Sequence, residues 1–218
     1  MMFRLLIVLF IIALIAGPAN AGEHKPKTSD TTEVANLSAD QYLSQKVNLV
    51  LSQIGQAQLD ADAREHRFRA LVMEIFDARF ISQFVLGAHW KETSPTEQTR
   101  FTKSLIELQV QSWAQRFKPS INANAVAIGV PQVNDRGHHI VPMTVKDADT
   151  PDGTVKLLWV LRKQDDAFKV FDVIVGGTSI LVTYRNEYQS FISRHGSVAK
   201  LTDEIEKQVR LASTTPAN

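Results

Sequence analysis

The chain has 218 residues, with 24 Lys and Arg against 23 Asp and Glu, which gives a formal charge of +1 at pH 7. This balance does not favour a nucleic-acid-binding protein, because such proteins normally carry a basic face. The sequence contains no cysteine, so disulfides, thiol catalysis and cysteine-bound zinc are excluded. The length is ample for one domain with an ordinary hydrophobic core.

The N-terminus has the pattern of a cleavable export signal, which we assign to residues 1–21. Arg4 supplies the positive charge, Leu5 to Ala16 form an apolar run, and Ala19-Asn20-Ala21 is a small-x-small cleavage site. The apolar run is shorter than the roughly 20 residues that a membrane-spanning helix needs. We therefore expect a soluble, exported chain, and removal of Arg4 reduces its formal charge of +1 to about zero.

The remainder is expected to form one domain with polar ends. Residues 22–37 are polar and lack apolar periodicity, as is typical of a disordered leader. We place the single domain at residues 38–211 and a flexible tail at residues 212–218. No internal repeat is present.

The first half of the domain has helical periodicity. Ser38 to Gln41 matches a capping box, and the helix that follows is expected to end at Gly55. A second helix places apolar residues between Phe68 and Ile75 on one side.

A third helix is expected from Phe76 to Gly87, and it stacks Phe76, Phe80 and Phe84 at intervals of four residues. Ser94-Pro95-Thr96-Glu97 has an N-cap serine, a proline at the first helical position and a glutamate two positions later. It predicts the start of a long helix with Phe101 and Leu105 on one face.

After Pro119 the apolar period changes from 3.6 to 2, which predicts four successive strands joined by short polar turns. Pro142 within the second strand indicates an edge or a bulge. The strands are expected at residues 125–130, 139–145, 155–162 and 168–175. The predicted fold class is α+β, a curved antiparallel sheet of about four strands with helices packed across one face.

The fourth strand is mostly apolar on both faces, which indicates a strand covered on each side or lining a cavity. Strict alternation would put Phe171, Val173 and Val175 on one face and Asp172 on the other, with Phe168, Val170 and Ile174. Gly176-Gly177 predicts a sharp turn, and Thr178 or Ser179 can then cap a helix. That helix carries Leu181, Tyr184 and Tyr188 on one face, and a final helix is expected at about residues 197–211.

Three segments together resemble the MlaC family, the periplasmic phospholipid-carrier proteins once called toluene-tolerance proteins. They are Phe84 to Trp90, the helix after the Ser-Pro turn, and the strand-Gly-Thr-Ser-helix segment that ends in Tyr184-Arg185. The resemblance runs from about Gln41 to Val209. One departure is the turn Gly176-Gly177-Thr178-Ser179, where the family usually has Glu-Gly-Val-Ser. This departure points to a divergent branch, such as the hopanoid-associated relatives.

The resemblance implies a carrier that moves phospholipid between the outer and inner membranes, with no cofactor and no enzymatic reaction. It implies exchange with an outer-membrane lipoprotein complex and with an inner-membrane ABC transporter that has an MCE-domain subunit. A hopanoid or another polycyclic lipid is the alternative cargo. A carrier of this kind needs an apolar pocket with polar groups only at its mouth.

Large apolar side chains of the predicted helices and strands supply candidates for the wall of this pocket. Whether they enclose a cavity or fill a core does not follow from the sequence. The candidate residues are Phe80, Phe84, Phe101, Leu105, Trp159, Leu161, Phe171, Val173, Val175, Tyr184 and Tyr188.

No catalytic or metal-binding motif is present. His138 and His139 are adjacent, so on a strand they face opposite ways and cannot bind one metal together. Asp172 lies in an apolar strand and needs a partner, for which Arg185 is a candidate. A small-molecule isomerase or hydrolase with a cone-shaped fold remains an alternative by analogy alone, and a structural adaptor with a filled core is a third.

Overall fold

A computed structural model of the chain describes residues 37–54, 60–114, 125–146 and 150–214. The expected signal peptide, nearly all of the expected leader, Gly55 and the last four residues of the tail lie outside these ranges. The first half is helical, as predicted. The helices are α1 (Ala39–Ile54), α2 (Ala61–Ile75), α3 (Ala78–Leu86), α4 (His89–Glu92) and α5 (Pro95–Ala114).

The predicted capping residues begin two of these helices. The Ser38 backbone N–H donates to Gln41 Oε1 at 3.0 Å before α1. At α5 the Glu97 backbone N–H donates to Ser94 Oγ at 3.3 Å, directly before Pro95. These bonds use backbone donors that have no partner within the helix.

The third helix begins later than predicted. Asp77 is its N-cap and accepts a hydrogen bond from the Phe80 backbone N–H at 3.0 Å. Phe76 instead ends α2 in extended conformation, so it does not stack with Phe80 and Phe84 along one helix. Gly87, with φ of 55°, ends α3 as predicted.

The second half of the domain forms an open, curved antiparallel sheet. The strands are β1 (Val126–Ile128), β2 (Gln132–Val133), β3 (His139–Lys146), β4 (Thr154–Gln164), β5 (Ala167–Val175) and β6 (Thr178–Ser179). Their order in the sheet is β1-β3-β4-β5-β6, with β2 also paired to β3. Four of the strands match the predicted ones, and the two-residue strands β2 and β6 were not predicted.

Pro142 lies where one neighbour of β3 is interrupted. β1 pairs with β3 at Met143 to Val145, and β2 pairs with it at His139 and Ile140. Between these two pairings the Gly129 N–H donates to the Pro142 carbonyl at 2.8 Å. A proline is tolerated there because no regular ladder bond needs its missing N–H.

A β-bulge in β5 makes the predicted alternation wrong. Val160 pairs with Asp172, but the next residue, Leu161, pairs with Val170, so Phe171 is an extra residue in β5. Val173 and Val175 therefore face the same side as Phe168 and Val170. Phe171 and Ile174 face the opposite side.

Helices cover both faces of the sheet, whereas the sequence predicted helices across one face. α1 and α2 pack on one face, while α3 and α6 (Ile180–His195) pack on the other. The described part of the chain ends in α7 (Val198–Thr214), which is separated from α6 by Gly196 in left-handed conformation at φ of 87°. Within the described ranges, no helix combines the length and the apolarity needed to cross a bilayer.

Candidate functional site

The face of the sheet beneath α1 and α2 carries a cluster of buried side chains that we call the front cluster. Among the described residues, ten of its fifteen buried members come from β3, β4 and β5, and five come from the two helices. Its members are Ala39, Tyr42, Leu43, Leu71, Ile75, Val141, Met143, Val145, Val155, Leu157, Trp159, Leu161, Phe168, Val170 and Val173. The sheet thus presents a wide apolar surface on this side.

The opposite face carries the back cluster, in which helical residues predominate. Of its buried members among the described residues, Val160 and Phe171 come from the sheet. The other members are Val85, Leu86, Phe101, Leu105, Leu181, Tyr188, Phe191, Ile192, Val198, Leu201 and Ile205. This side is therefore built mainly by packing between helices.

The structure divides the eleven candidate wall residues between the two clusters. Trp159, Leu161 and Val173 belong to the front cluster, and half-buried Val175 packs against it. The remaining seven lie on the back side, where they belong to the back cluster or pack against it; they are Phe80, Phe84, Phe101, Leu105, Phe171, Tyr184 and Tyr188. A pocket on one face of the sheet would be lined by only one of these two groups.

Aromatic contacts hold the back group together. The ring centroids of Phe80 and Phe171 are 5.0 Å apart, and those of Phe101 and Tyr188 are 6.0 Å apart. Tyr184 stacks on Tyr188 with ring centroids 5.7 Å apart, and its hydroxyl hydrogen-bonds the Gln109 side chain. Burial raises the pKa of Tyr188 well above its ordinary value, so this phenol is neutral at physiological pH.

Charged side chains lie at the margin of the front cluster. Lys46 and Glu74 form an ion pair there, and Lys169 donates to the Glu74 carbonyl. The Lys46 ammonium also lies 5.3 Å from the centroid of the Tyr42 ring. Burial, followed by the charge of Glu74, raises the pKa of Tyr42 to about 12. The sequence does not reveal this group, since its members are far apart in the chain.

Asp172 has a structural role, although Arg185 is not its partner. Its carboxylate accepts hydrogen bonds from the Ser179 hydroxyl at 2.6 Å, the Leu181 N–H at 3.0 Å and the Val173 N–H at 2.8 Å. Ser179 also caps α6, as predicted. Arg185 instead donates to the Phe84 carbonyl. A carboxylate with three donors already in place is poorly suited to act as a base.

The adjacent histidines face opposite sides of the sheet, as predicted. His138 lies against Phe171 of the back cluster, with ring centroids 4.7 Å apart, and His139 lies against Phe168 of the front cluster at 4.9 Å. Burial, then the charges of Arg136 and Arg162, lowers the pKa of His138. The described part of the chain contains no group of three or more His, Asp or Glu arranged to hold a metal ion.

A solved structure of similar fold is that of the phospholipid-binding protein from Ralstonia solanacearum in complex with a phospholipid. The two chains are 21% identical with a TM-score of 0.68, and the similarity covers 82% of this chain and 100% of the other. At this identity the similarity establishes the fold. The comparison with curated proteins gives no match.

The family comparison extends over most of the described domain. The protein-family model described as MlaC protein matches residues 43–207, which is well over half of the chain. The matched region contains the sheet, α2 to α6, most of α1 and α7, and all eleven candidate wall residues. The chain therefore belongs to the MlaC family.

Proposed function

We propose that the protein is a soluble periplasmic carrier of phospholipid. The observation that carries the proposal is the family match over residues 43–207. The phospholipid bound by the Ralstonia solanacearum protein, whose fold this chain shares, supports a lipid cargo. The two tails of a phospholipid contain about thirty methylenes, and their exposure to water would cost on the order of 24 kcal/mol. A carrier must therefore enclose the tails between membranes.

The front cluster is the side of the sheet that we propose to hold the tails. Its sheet surface is apolar along three strands, and the sheet supplies twice as many buried residues as the two helices above it. On this proposal, Trp159, Leu161, Val173 and Val175 form part of the pocket wall. The ion pair of Lys46 and Glu74 at the margin supports a polar mouth next to an apolar interior.

The seven back residues then have a supporting role. They pack between the back face of the sheet and α3, α5, α6 and α7. This packing stabilises the sheet whose other face carries the front cluster. This assignment reduces the predicted pocket wall from eleven residues to the four on the front side, because a continuous sheet separates its two faces.

We propose further that the protein is the substrate-binding component of an Mla-type ABC lipid transport system. Its partners would be an outer-membrane lipoprotein complex and an inner-membrane ABC transporter with an MCE-domain subunit. ATP would be hydrolysed by the transporter, and the carrier would catalyse no reaction. The engagement of Asp172 by three hydrogen-bond donors is in keeping with a non-catalytic role.

Native mass spectrometry of protein purified from a periplasmic extract without detergent tests the proposal. We expect a polypeptide that begins at Gly22, with a stoichiometric lipid adduct that solvent extraction identifies. Phospholipid supports the leading cargo, whereas an adduct of hopanoid mass would replace it by the polycyclic alternative. A bare polypeptide that remains bare after incubation with phospholipid vesicles would overturn the carrier function.

A further inference from the structure

A groove of about 510 Å³ lies between α2, the α3–α4 segment and α5, and no member of the front cluster lines it. Its volume is within the range of about 300–1,000 Å³ that is typical of small-molecule sites. A site of this size suits a drug-sized ligand, which is smaller than a phospholipid with two tails.

The groove carries two positive charges that have no carboxylate partner among the described residues. Arg69 is paired with Glu65 and with Glu107, which also lines the groove. Arg79 and Lys103 are exposed, and neither forms a salt bridge or hydrogen bond with another described residue. Even with both carboxylates counted against Arg69, Arg79 and Lys103, one net positive charge remains in and beside the groove, which favours an anion.

The neutral polar groups of the groove already have partners within the protein. Gln98 donates to the backbone carbonyls of Trp90 and Thr93, at 2.8 and 3.1 Å. The hydroxyls of Thr99 and Thr102 donate to carbonyls four residues earlier in the chain, at 2.9 and 2.8 Å. These groups therefore offer few free donors to an uncharged polar ligand. Arg79 and Lys103 are the main groups that can bind the polar atoms of a ligand.

Apolar side chains form the rest of the lining. Ile106 is buried, Trp90 is half-buried, and Met73 is 57% exposed. An apolar side chain this exposed, in a groove that an aromatic ring also lines, gives a ligand apolar surface to cover. The groove thus combines an anion-binding portion with an apolar portion.

We propose that this groove binds an anionic amphiphile with a single alkyl chain. A carboxylate or phosphate head would lie between Arg79 and Lys103, and the chain would cover Trp90, Ile106 and Met73. The site is separate from the proposed tail-binding front cluster, and it does not depend on the carrier function. A fatty acid and an alkyl phosphate share the chemistry that the groove recognises.

Isothermal titration calorimetry tests this site, with dodecyl phosphate below its micelle concentration and the mature chain as purified. We expect the Arg79→Gln/Lys103→Gln double variant to bind about tenfold more weakly than wild type, because two exposed charge contacts are lost. The matched control is Lys156→Gln/Lys163→Gln, which removes the same charge from exposed positions of β4. This control is expected to bind as wild type does.

Three further ligands and one further variant define the recognised chemistry. Laurate is expected to bind the same site, whereas dodecyl maltoside, which has no charge, is expected to bind at least tenfold more weakly. Inorganic phosphate alone is expected to bind weakly, and phosphate binding as tight as that of dodecyl phosphate would overturn the amphiphile assignment. Met73→Gln is expected to weaken dodecyl phosphate binding without affecting the fold, since Met73 is exposed.

The proposal is overturned if the Arg79→Gln/Lys103→Gln variant, shown by circular dichroism to be folded, binds dodecyl phosphate as tightly as wild type. Equal weakening in the β4 control would also overturn it, because the effect would then be one of overall charge. The carrier function is tested separately, by the lipid content found on extraction. A negative result for the groove therefore does not contradict the carrier function.

Discussion

Asp172 fastens the first turn of α6 to β5. Its carboxylate accepts from the Ser179 hydroxyl, the Leu181 N–H and the Val173 N–H, all within 3.0 Å. The Leu181 N–H is one of the helix donors that have no partner within α6. The side chain of Asp172 therefore connects the strand, the Gly176-Gly177 turn and the helix.

We predict that Asp172→Asn lowers the free energy of unfolding by about 2 kcal/mol. The amide nitrogen of asparagine cannot accept a hydrogen bond, so one of the donors is left without its charged acceptor. Urea unfolding followed by circular dichroism measures the change. Asp166→Asn, at an exposed position in the β4–β5 turn, is the control and is expected to change stability by less than about 0.5 kcal/mol. Equal stability of the two variants would contradict the anchoring role.

The sequence identified Asp172 as a residue that needed a partner, but it pointed to the wrong one. Its apolar neighbours made the need evident, because an unpaired buried carboxylate is costly. The choice of Arg185 failed because α6 turns that side chain toward the Phe84 carbonyl and the Phe84 ring, whose centroid lies 4.9 Å from the guanidinium carbon. Such a direction depends on how α6 packs on α3, which periodicity does not reveal.

Because of Tyr42, the stability of the folded chain is expected to depend on pH in the alkaline range. Its pKa of about 12 in the folded state exceeds its ordinary value of 10.0, so the folded chain retains the phenol proton more tightly. The stability from this site is complete below pH 10 and is lost as the pH rises toward 12. We predict that wild type loses on the order of 1 kcal/mol more than Tyr42→Phe over this interval, after allowance for solvent screening.

Thermal unfolding of both proteins between pH 9 and 11.5 measures this difference. Tyr188 is present in both chains, so its own titration cancels in the comparison. Parallel stability curves for the two proteins would show that Tyr42 is not responsible for any alkaline loss.

At the scale of elements, one ion pair fastens the junction of α2 and α3 to the sheet. Asp77 accepts from Arg162 Nε at 2.7 Å, caps α3, and donates its own N–H to the Val170 carbonyl at 2.8 Å. The Arg162 guanidinium also lies over the Phe80 ring, 4.6 Å from its centroid. These contacts are next to the bulge at Phe171, where the regular pairing of β5 changes.

We predict that Asp77→Asn costs about 2 kcal/mol more stability than Asp60→Asn. Both aspartates are N-caps, of α3 and α2 respectively, and each accepts from a first-turn N–H. Asp77 is only 8% exposed and also pairs with Arg162, so its neutralisation leaves a cation without its partner. Chemical denaturation of the two variants gives the difference. Equal losses would mean that capping alone accounts for the effect of Asp77.

The positions of the helices and strands were largely predictable, while the face of the sheet on which each side chain of β5 lies was not. Alternation and turn residues located four strands, and Ser38, Ser94 and Ser179 marked helix starts that the structure confirms. The bulge was hidden because the extra residue, Phe171, is as apolar as its neighbours. In β5, Lys169 and Asp172 are the polar residues, and two polar residues in a strand that is apolar on both faces are too few to reveal a change of side.

At the scale of the whole molecule, the sequence identified the apolar residues but not the face of the sheet on which each of them lies. The neighbours Ile174 and Val175 illustrate the limit, since both are half-buried, and they lie on opposite faces of β5. Which face each one takes depends on the bulge, and which face could hold lipid tails depends on the helices that cover it. Neither property is encoded in the local pattern of hydrophobic residues.

This pair also provides the sharpest test of where the tails bind. Val175→Trp adds bulk at the rim of the front cluster, whereas Ile174→Trp adds bulk one residue away on the back side. If the tails occupy the front side, we expect purified Val175→Trp to retain less than about half of the wild-type lipid, because the added ring takes space that a tail would fill. Ile174→Trp is expected to retain the wild-type amount.

Lipid per polypeptide is measured by extraction and quantitative mass spectrometry, after thermal unfolding has shown that both variants are folded. The two substitutions carry comparable costs of overpacking because the positions are adjacent and similarly buried, so a difference in lipid content reports the location of the tails. The reverse result, with lipid lost only from Ile174→Trp, would assign the tails to the back cluster. Phe171, Tyr184 and Tyr188 would then be the wall, and the front face would be the packed core that supports it.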